Sequence, residues 1–238
     1  MNSLLKINPT IFPEVLPQLS AGLLALLKSN ITDIHDQGQW RTIFALLTPC
    51  VESPDAAQNC LKSTLFVVSN TQKFAFRDIP FLDLVDILLK FVATSAKQTS
   101  SSSRFQSPQP SSPSPPSLPI AQSGNGVDLD EFSELFGPRV DLFTGSGRAL
   151  KSLDVLYHLH TQVLSLTTAS VTKGGETSPV ENLWSGYWLP ILSGLGSNCC
   201  HPIPEVRQSS LTLLSKGLLL ADLNLLTPKE LYLCFDKV

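Results

Sequence analysis

"HPIPEVRQSSLTLLSKGLLL", residues 201–220, decides how this chain is read. Two prolines lead into an acidic residue and Val206-Arg207. An apolar stripe follows. Val206, Ser210, Leu213, Leu214, Gly217 and Leu218 recur at i, i+4, i+7, i+8, i+11 and i+12, so they share one helical face. Gln208, Ser209, Thr212 and Ser215 crowd the other side. The spacing predicts a helix over about 204–220 whose inner face packs within a stack of helices.

The same period recurs on both sides of this stretch. "LPQLSAGLLALLKSN" (16–30) and "QWRTIFALL" (39–47, ended by Pro49) read as helices. "SPDAAQNCLKSTLFVVSN" (53–70) opens with a Ser N-cap and a proline at the first helical position. "DIPFLDLVDILLKFVATSA" (78–96) places Leu84, Ile87, Leu88 and Phe91 on one face, with Asp83, Asp86 and Lys90 opposite. Further on, an acidic segment (127–136) precedes "ALKSLDVLYHLHTQVLSLTTASV" (149–171). "SPVENLWSGYWLPILSGL" (178–195) and "TPKELYLCFDKV" (227–238) each begin Ser/Thr-Pro-x-Glu, a capping box. No strand-like alternation bounded by turns interrupts the pattern, so the expected class is all-α. Helices of this length, each too apolar to stand alone, predict a HEAT/armadillo-like α-solenoid. A compact helical bundle is the structural alternative.

The expected organisation is a helical repeat segment over 1–96, a Ser/Pro-rich linker over 97–126, and a second helical repeat segment over 127–238. The linker "KQTSSSSRFQSPQPSSPSPPSLPIAQSGNG" has only Phe105, Leu118 and Ile120 as large apolar residues. It cannot bury enough surface to offset the entropy of ordering it, so it is expected to be disordered.

Composition narrows the functional classes. A net charge of −3 is small and of the wrong sign for a nucleic-acid binder, which carries a basic face. The five cysteines (Cys50, Cys60, Cys199, Cys200 and Cys234) are odd in number and contain no C-x-x-C. They are read as reduced, cytosolic thiols. Prolines interrupt the N-terminus where a signal peptide needs an unbroken apolar run. The uncharged stretches 155–172 and 182–204 carry too many polar residues for membrane spans.

Each motif that could carry chemistry has a defect. Cys199-Cys200-His201 lacks the spacing and the fourth ligand of a zinc site. His158 and His160, two apart, diverge on a helix, unlike a metalloprotease pair at i, i+4. "TGSGR" (144–148) lacks the Lys-Ser/Thr of a P-loop and is read as a turn before a helix. "DLDEF" (128–132) begins like a calcium loop, but Ser133 and Arg139 stand where Gly and Glu are needed. Trp184, Tyr187 and Trp188, like Trp40, have the spacing of core residues, with a partner hot spot as the alternative. Arg207 is expected to pair with a neighbouring repeat. No catalytic, cofactor or metal residue is assigned.

The ordered set of motifs resembles a known family. "GLLALLKSNITDIHDQGQWRTIFALL", "CLKSTLFVVSN" and "FLDLVDILLKFV" are followed by "LDVLYHLHTQV", "LWSGYWLPILSGLGSNCC", "EVRQSSLTLLSKGLLLADL" and "LYLCFDKV". The set resembles the helical region downstream of the catalytic domain in the Golgi-specific large Arf guanine-nucleotide exchange factors, the brefeldin-A-resistance factor group. The signature positions are Trp40, His158, His160, Trp184, Trp188, Pro190, Val206, Arg207, Phe235 and Lys237.

The resemblance implies GDP-for-GTP exchange on Arf-type GTPases at Golgi membranes. In that family a separate helical domain with an invasive glutamate performs the exchange, and no stretch here resembles it. The chain is therefore expected to be a non-catalytic, regulatory part that docks on membranes and partners. Its expected location is cytoplasmic and peripheral to Golgi membranes. Expected partners are an Arf-type GTPase met through the absent domain, Golgi lipids or membrane-bound proteins, and a second copy in the full-length protein. Nucleic acid is not among them. The family continues past Phe235-x-Lys237-Val238 into another apolar helix, so the chain is expected to be a fragment. A HEAT-type scaffold or transport adaptor unrelated to Arf exchange is the alternative.

Overall fold

The computed structural model describes residues 12–70, 79–102, 141–168 and 183–220, with 223, 226, 228–230 and 232 beyond them. All regular structure among these residues is helical, so the all-α class holds. The elements are α1 (Phe12–Asn30), α2 (Gln37–Leu47), α3 (Pro54–Ser69), α4 (Phe81–Ser102), α5 (Gly145–Thr168), α6 (Leu189–Asn198) and α7 (Pro204–Leu218). Short 3₁₀ turns follow α1 (Ile31–Asp33) and α2 (Thr48–Val51), and a π-helical turn (Trp184–Trp188) leads into α6.

Local chemistry sets the boundaries. α2 starts two residues before the expected Gln39 because Asp36 and Gln39 form a capping box. The Gln39 amide donates to Asp36 Oδ2 at 3.1 Å, and the Asp36 amide donates to Gln39 Oε1 at 3.5 Å. α3 starts at Pro54 as expected, but Ser53 caps it only through its carbonyl, which accepts from the Ala56 and Ala57 amides. α4 runs to Ser102, so the first six residues assigned to the Ser/Pro linker are helical. No proline occurs between Phe81 and Ser102, and each added residue contributes one helical hydrogen bond without a new nucleus. The Lys97 ammonium also lies 3.4 Å from the Glu52 carboxylate. The rest of that linker, the acidic segment and both Ser/Thr-Pro capping boxes lie wholly or partly outside the described residues.

α5 begins at Gly145, so "TGSGR" opens the helix instead of preceding it. Thr144 Oγ1 accepts from the Gly147 amide at 3.1 Å and donates to the Asp141 carbonyl at 2.9 Å. Gly147 allows this turn to close. A Cβ there would lie 1.8 Å from the Asp141 carbonyl oxygen.

α1 packs on α3, α2 on α4, α4 on α5, and α5 on α7, with α6 also on α7. One buried cluster runs from Leu16 and Leu27 through Trp40, Phe44, Leu65, Leu84 and Phe91 to Leu153, Ile191 and Val206. The segments on either side of the 97–126 stretch therefore share a core, through α4 against α5. A smaller cluster gathers Val163, Trp184, Trp188, Leu192, Leu223 and Leu226. No helix among the described residues is long and apolar enough to cross a membrane.

Candidate functional site

The stretch 201–220 holds the end of the loop 199–203, the helix α7 and the two residues after it. Val206, Ser210, Leu213 and Gly217 are buried, as the spacing predicts, and Leu214 is half-buried. Leu218 departs from that prediction. It is 38% exposed at the last residue of α7, and Leu219 beyond it is 85% exposed. The stripe turns away from the core there because the helix stops two residues short of the expected Leu220.

His201 joins this loop to α4. The Ile203 amide donates to Nδ1 at 3.2 Å, which leaves the proton on Nε2, and Nε2 donates to the Val92 carbonyl at 3.1 Å. That tautomer is assigned from the hydrogen-bond pattern. Ser95 Oγ lies 3.3 Å from the same Nε2, but its own hydroxyl is directed at Val92 O, 2.6 Å away. A general base needs its lone pair facing the serine hydroxyl, and here the protonated nitrogen faces it. This buried Ser–His pair is wired as a brace between α4 and the loop. Both ring nitrogens are engaged, so His201 has no lone pair to offer a metal. Among the described residues no group of three His, Cys, Asp or Glu side chains could hold a metal ion.

Arg207 departs from expectation as well. Its Nη1 donates to the His201 carbonyl at 2.7 Å, so among the described residues it closes its own loop and no bridge to a neighbouring repeat is seen. The two residues are six positions apart in sequence.

Of the remaining signature residues, Trp40, His160, Trp184 and Trp188 are buried. Trp40 is fully buried and stacks on Phe44, with centroids 6.0 Å apart. His160 is fully buried, and its Nε2 donates to the Gly217 carbonyl at 3.1 Å, fastening α5 to α7. A Cβ at Gly217 would come within 3.2 Å of that same nitrogen, so the glycine sets how closely the two helices approach. His158 diverges from His160 as expected. It is half-buried, and burial lowers its pKa.

Trp184 and Trp188 are buried on one side of the π turn, while Tyr187 packs on Phe81 with centroids 4.8 Å apart. Pro190 explains the turn. Its ring would crowd the carbonyl four residues back, at Gly186. The chain widens instead, and the Leu189 amide reaches the Trp184 carbonyl five residues behind. The indole N–H groups of Trp184 and Trp188 and the Ser210 hydroxyl have no hydrogen-bond partner among the described residues. Phe235 and Lys237 lie outside the described residues.

An electrostatic cluster between α5 and α7 leaves no mark in the helical spacing. Burial pushes the Asp154 carboxyl up to about 6, against the opposing pull of Lys151 and Lys216. Lys151 is itself buried, and its pKa is lowered by desolvation, with Asp154 acting the other way. The available signal was weak. Asp154 is one charge inside the apolar run Leu153-Asp-Val155-Leu156, and its partner Lys216 lies 62 positions away in sequence.

No protein-family model and no solved structure matches the chain.

Proposed function

We propose that the chain is a non-catalytic docking part of an Arf guanine-nucleotide exchange factor that works in Golgi vesicle transport. The observation that carries the reading is the ordered run of motifs from Trp40 through His160, Trp184 and Trp188-x-Pro190 to Val206-Arg207. Its buried members, Trp40, His160, Trp184, Trp188 and Val206, serve packing. Residues used for packing fit a scaffold better than a catalytic centre. In this reading the helices form a HEAT- or armadillo-type solenoid. Contacts between helices near in sequence, α1 with α3, α2 with α4 and α5 with α7, support it, because stacked repeats touch their neighbours. A separate domain would engage the GTPase, while this chain holds membrane lipids or membrane-bound partners from the cytoplasmic side of the Golgi. Helix stacking by itself equally fits a HEAT-type scaffold or transport adaptor unrelated to Arf exchange.

The two readings part on measurement. Release of a fluorescent nucleotide from an Arf GTPase is expected to stay at its intrinsic rate when this chain alone is added, and the chain is expected to float with Golgi-enriched membranes. Catalysis by the chain alone overturns the non-catalytic assignment. A coding sequence that carries no exchange domain upstream transfers the reading to the adaptor.

A further inference from the structure

Four of the five thiols lie among the described residues, and they fall into two kinds. Cys50 and Cys60 are fully buried, and their sulfurs donate to the Leu46 and Leu47 carbonyls at 3.4 and 3.3 Å. Burial raises both thiol pKa values. Reagents in water do not reach them. Cys199 and Cys200 stand side by side in the turn after α6, the first half-exposed and the second exposed.

That turn is held on both sides. The Cys199 amide donates to Gly196 O at 3.0 Å, and the His201 amide donates to Asn198 O at 3.1 Å. Cys199 Sγ donates to Leu195 O at 3.4 Å. The His201 ring anchors the next residue to α4, and Arg207 holds the His201 carbonyl. Two neighbouring thiols thus stand on a backbone that is already ordered, so joining them through a ligand costs little further entropy.

Geometry selects the ligand. Cα atoms across a trans peptide are about 3.8 Å apart, whereas relaxed disulfides span roughly 4.4–6.8 Å. A direct bond between these sulfurs is therefore strained. One bridging atom enlarges the ring and lets the sulfurs stand further apart. His201 has no lone pair to add, and the described residues supply no third ligand, so four-coordinate zinc is not the fit.

We propose that Cys199 and Cys200 form a vicinal-dithiol site that captures a soft, thiophilic atom by two bonds to sulfur, a monosubstituted trivalent arsenical being the defining case. The exposed Cys200 bonds first. Cys199, whose pKa is raised by burial and then by Cys200, closes the ring. An arsine oxide R–As=O and two thiols give R–As(S–)₂ and one water. Two As–S bonds form, the As–O bonding is lost, both thiol protons leave with the oxygen, and arsenic stays trivalent. No oxidant is required. The site does not depend on the docking role proposed above.

The test uses phenylarsine oxide on the full chain, read by intact-protein mass. The expected product carries one phenylarsenic group, survives excess monothiol and is reversed by 2,3-dimercaptopropanol. Cys199→Ser and Cys200→Ser should each weaken monothiol-resistant binding by about 100-fold or more, the size of a lost second attachment. Cys234→Ser should leave it unchanged. Circular dichroism checks that each variant is folded, and the Cys199→Ser variant keeps a hydroxyl for the Leu195 carbonyl. Absence of a monothiol-resistant adduct on the native chain overturns the proposal, as does its persistence in either vicinal variant.

Discussion

Glycine-to-alanine substitution should act with opposite signs at two helical positions of this protein. At Gly22, on the exposed side of α1, a new Cβ meets nothing within 4 Å. Alanine there removes backbone freedom from the unfolded chain and should stabilise by about 0.5–1 kcal/mol. At Gly147, in the first turn of α5, the Cβ would stand 1.8 Å from the Asp141 carbonyl oxygen and 2.8 Å from Thr144 Oγ1. The carbonyl would have to retreat by about 1.5 Å to reach ordinary contact, and it is backbone that cannot rotate aside. It also accepts from the Thr144 hydroxyl, and the carbonyls of Leu142 and Phe143 beside it hold the buried Arg148 guanidinium at 3.0 and 2.9 Å. Overpacking of this kind costs about 1–3 kcal/mol, and each disturbed hydrogen bond about 1 kcal/mol more. Set against the helical gain, the net loss should be about 2–3 kcal/mol. Urea unfolding followed by far-ultraviolet circular dichroism measures both. The Gly22→Ala midpoint should rise and the Gly147→Ala midpoint fall, with unchanged slopes. A Gly147→Ala midpoint at or above that of the parent would refute the close-approach argument.

Leu213→Ala should cost about 2–3 kcal/mol, the lower part of the range for a buried leucine, because Leu213 retains 8% exposure; Gln208→Ala on the solvent side should be nearly silent in the same melts. If Leu213→Ala keeps full stability but loses membrane binding, the inner face of α7 is a docking surface and its assignment to the core fails. Asp154 should give the stability a measurable pH dependence. Its folded pKa of about 6 lies above the ordinary 3.8, so its neutral form favours folding. That contribution is complete below about pH 4 and is lost as pH rises through 6. Partial solvent access reduces the effect to about 1–2 kcal/mol. Asp154→Asn should therefore be more stable than the parent at about pH 7.5 and should close that gap near pH 4. A constant difference across this range would place the effect elsewhere.

The sequence was informative about the site where the chemistry is local and silent where it is not. The apolar stripes of α4 and α7, the proline at the start of α3 and the divergence of His158 from His160 all follow from helical spacing. Cys199-Cys200-His201 stood out as a cluster, but what His201 does depends on Val92 and Ser95, more than a hundred residues earlier. Arg207 was expected to reach across a layer and instead reaches back six residues, because the loop between α6 and α7 brings the His201 carbonyl over its own helix.

Period and backbone chemistry alone were enough to make the described part of this protein helical, to set the apolar faces of α4 and, up to Gly217, of α7, and to start helices at Pro54 and Pro204. These depend on period and on backbone chemistry within a turn or two. Which helices meet is set by tertiary structure, and with that the burial of Lys151 and half-burial of Asp154, the proton position on His201 and the glycine at 217 against His160. Each of those depends on desolvation or close contact between residues far apart in the chain. Such contacts leave no period to read, since either partner alone looks like an ordinary polar residue or an ordinary glycine.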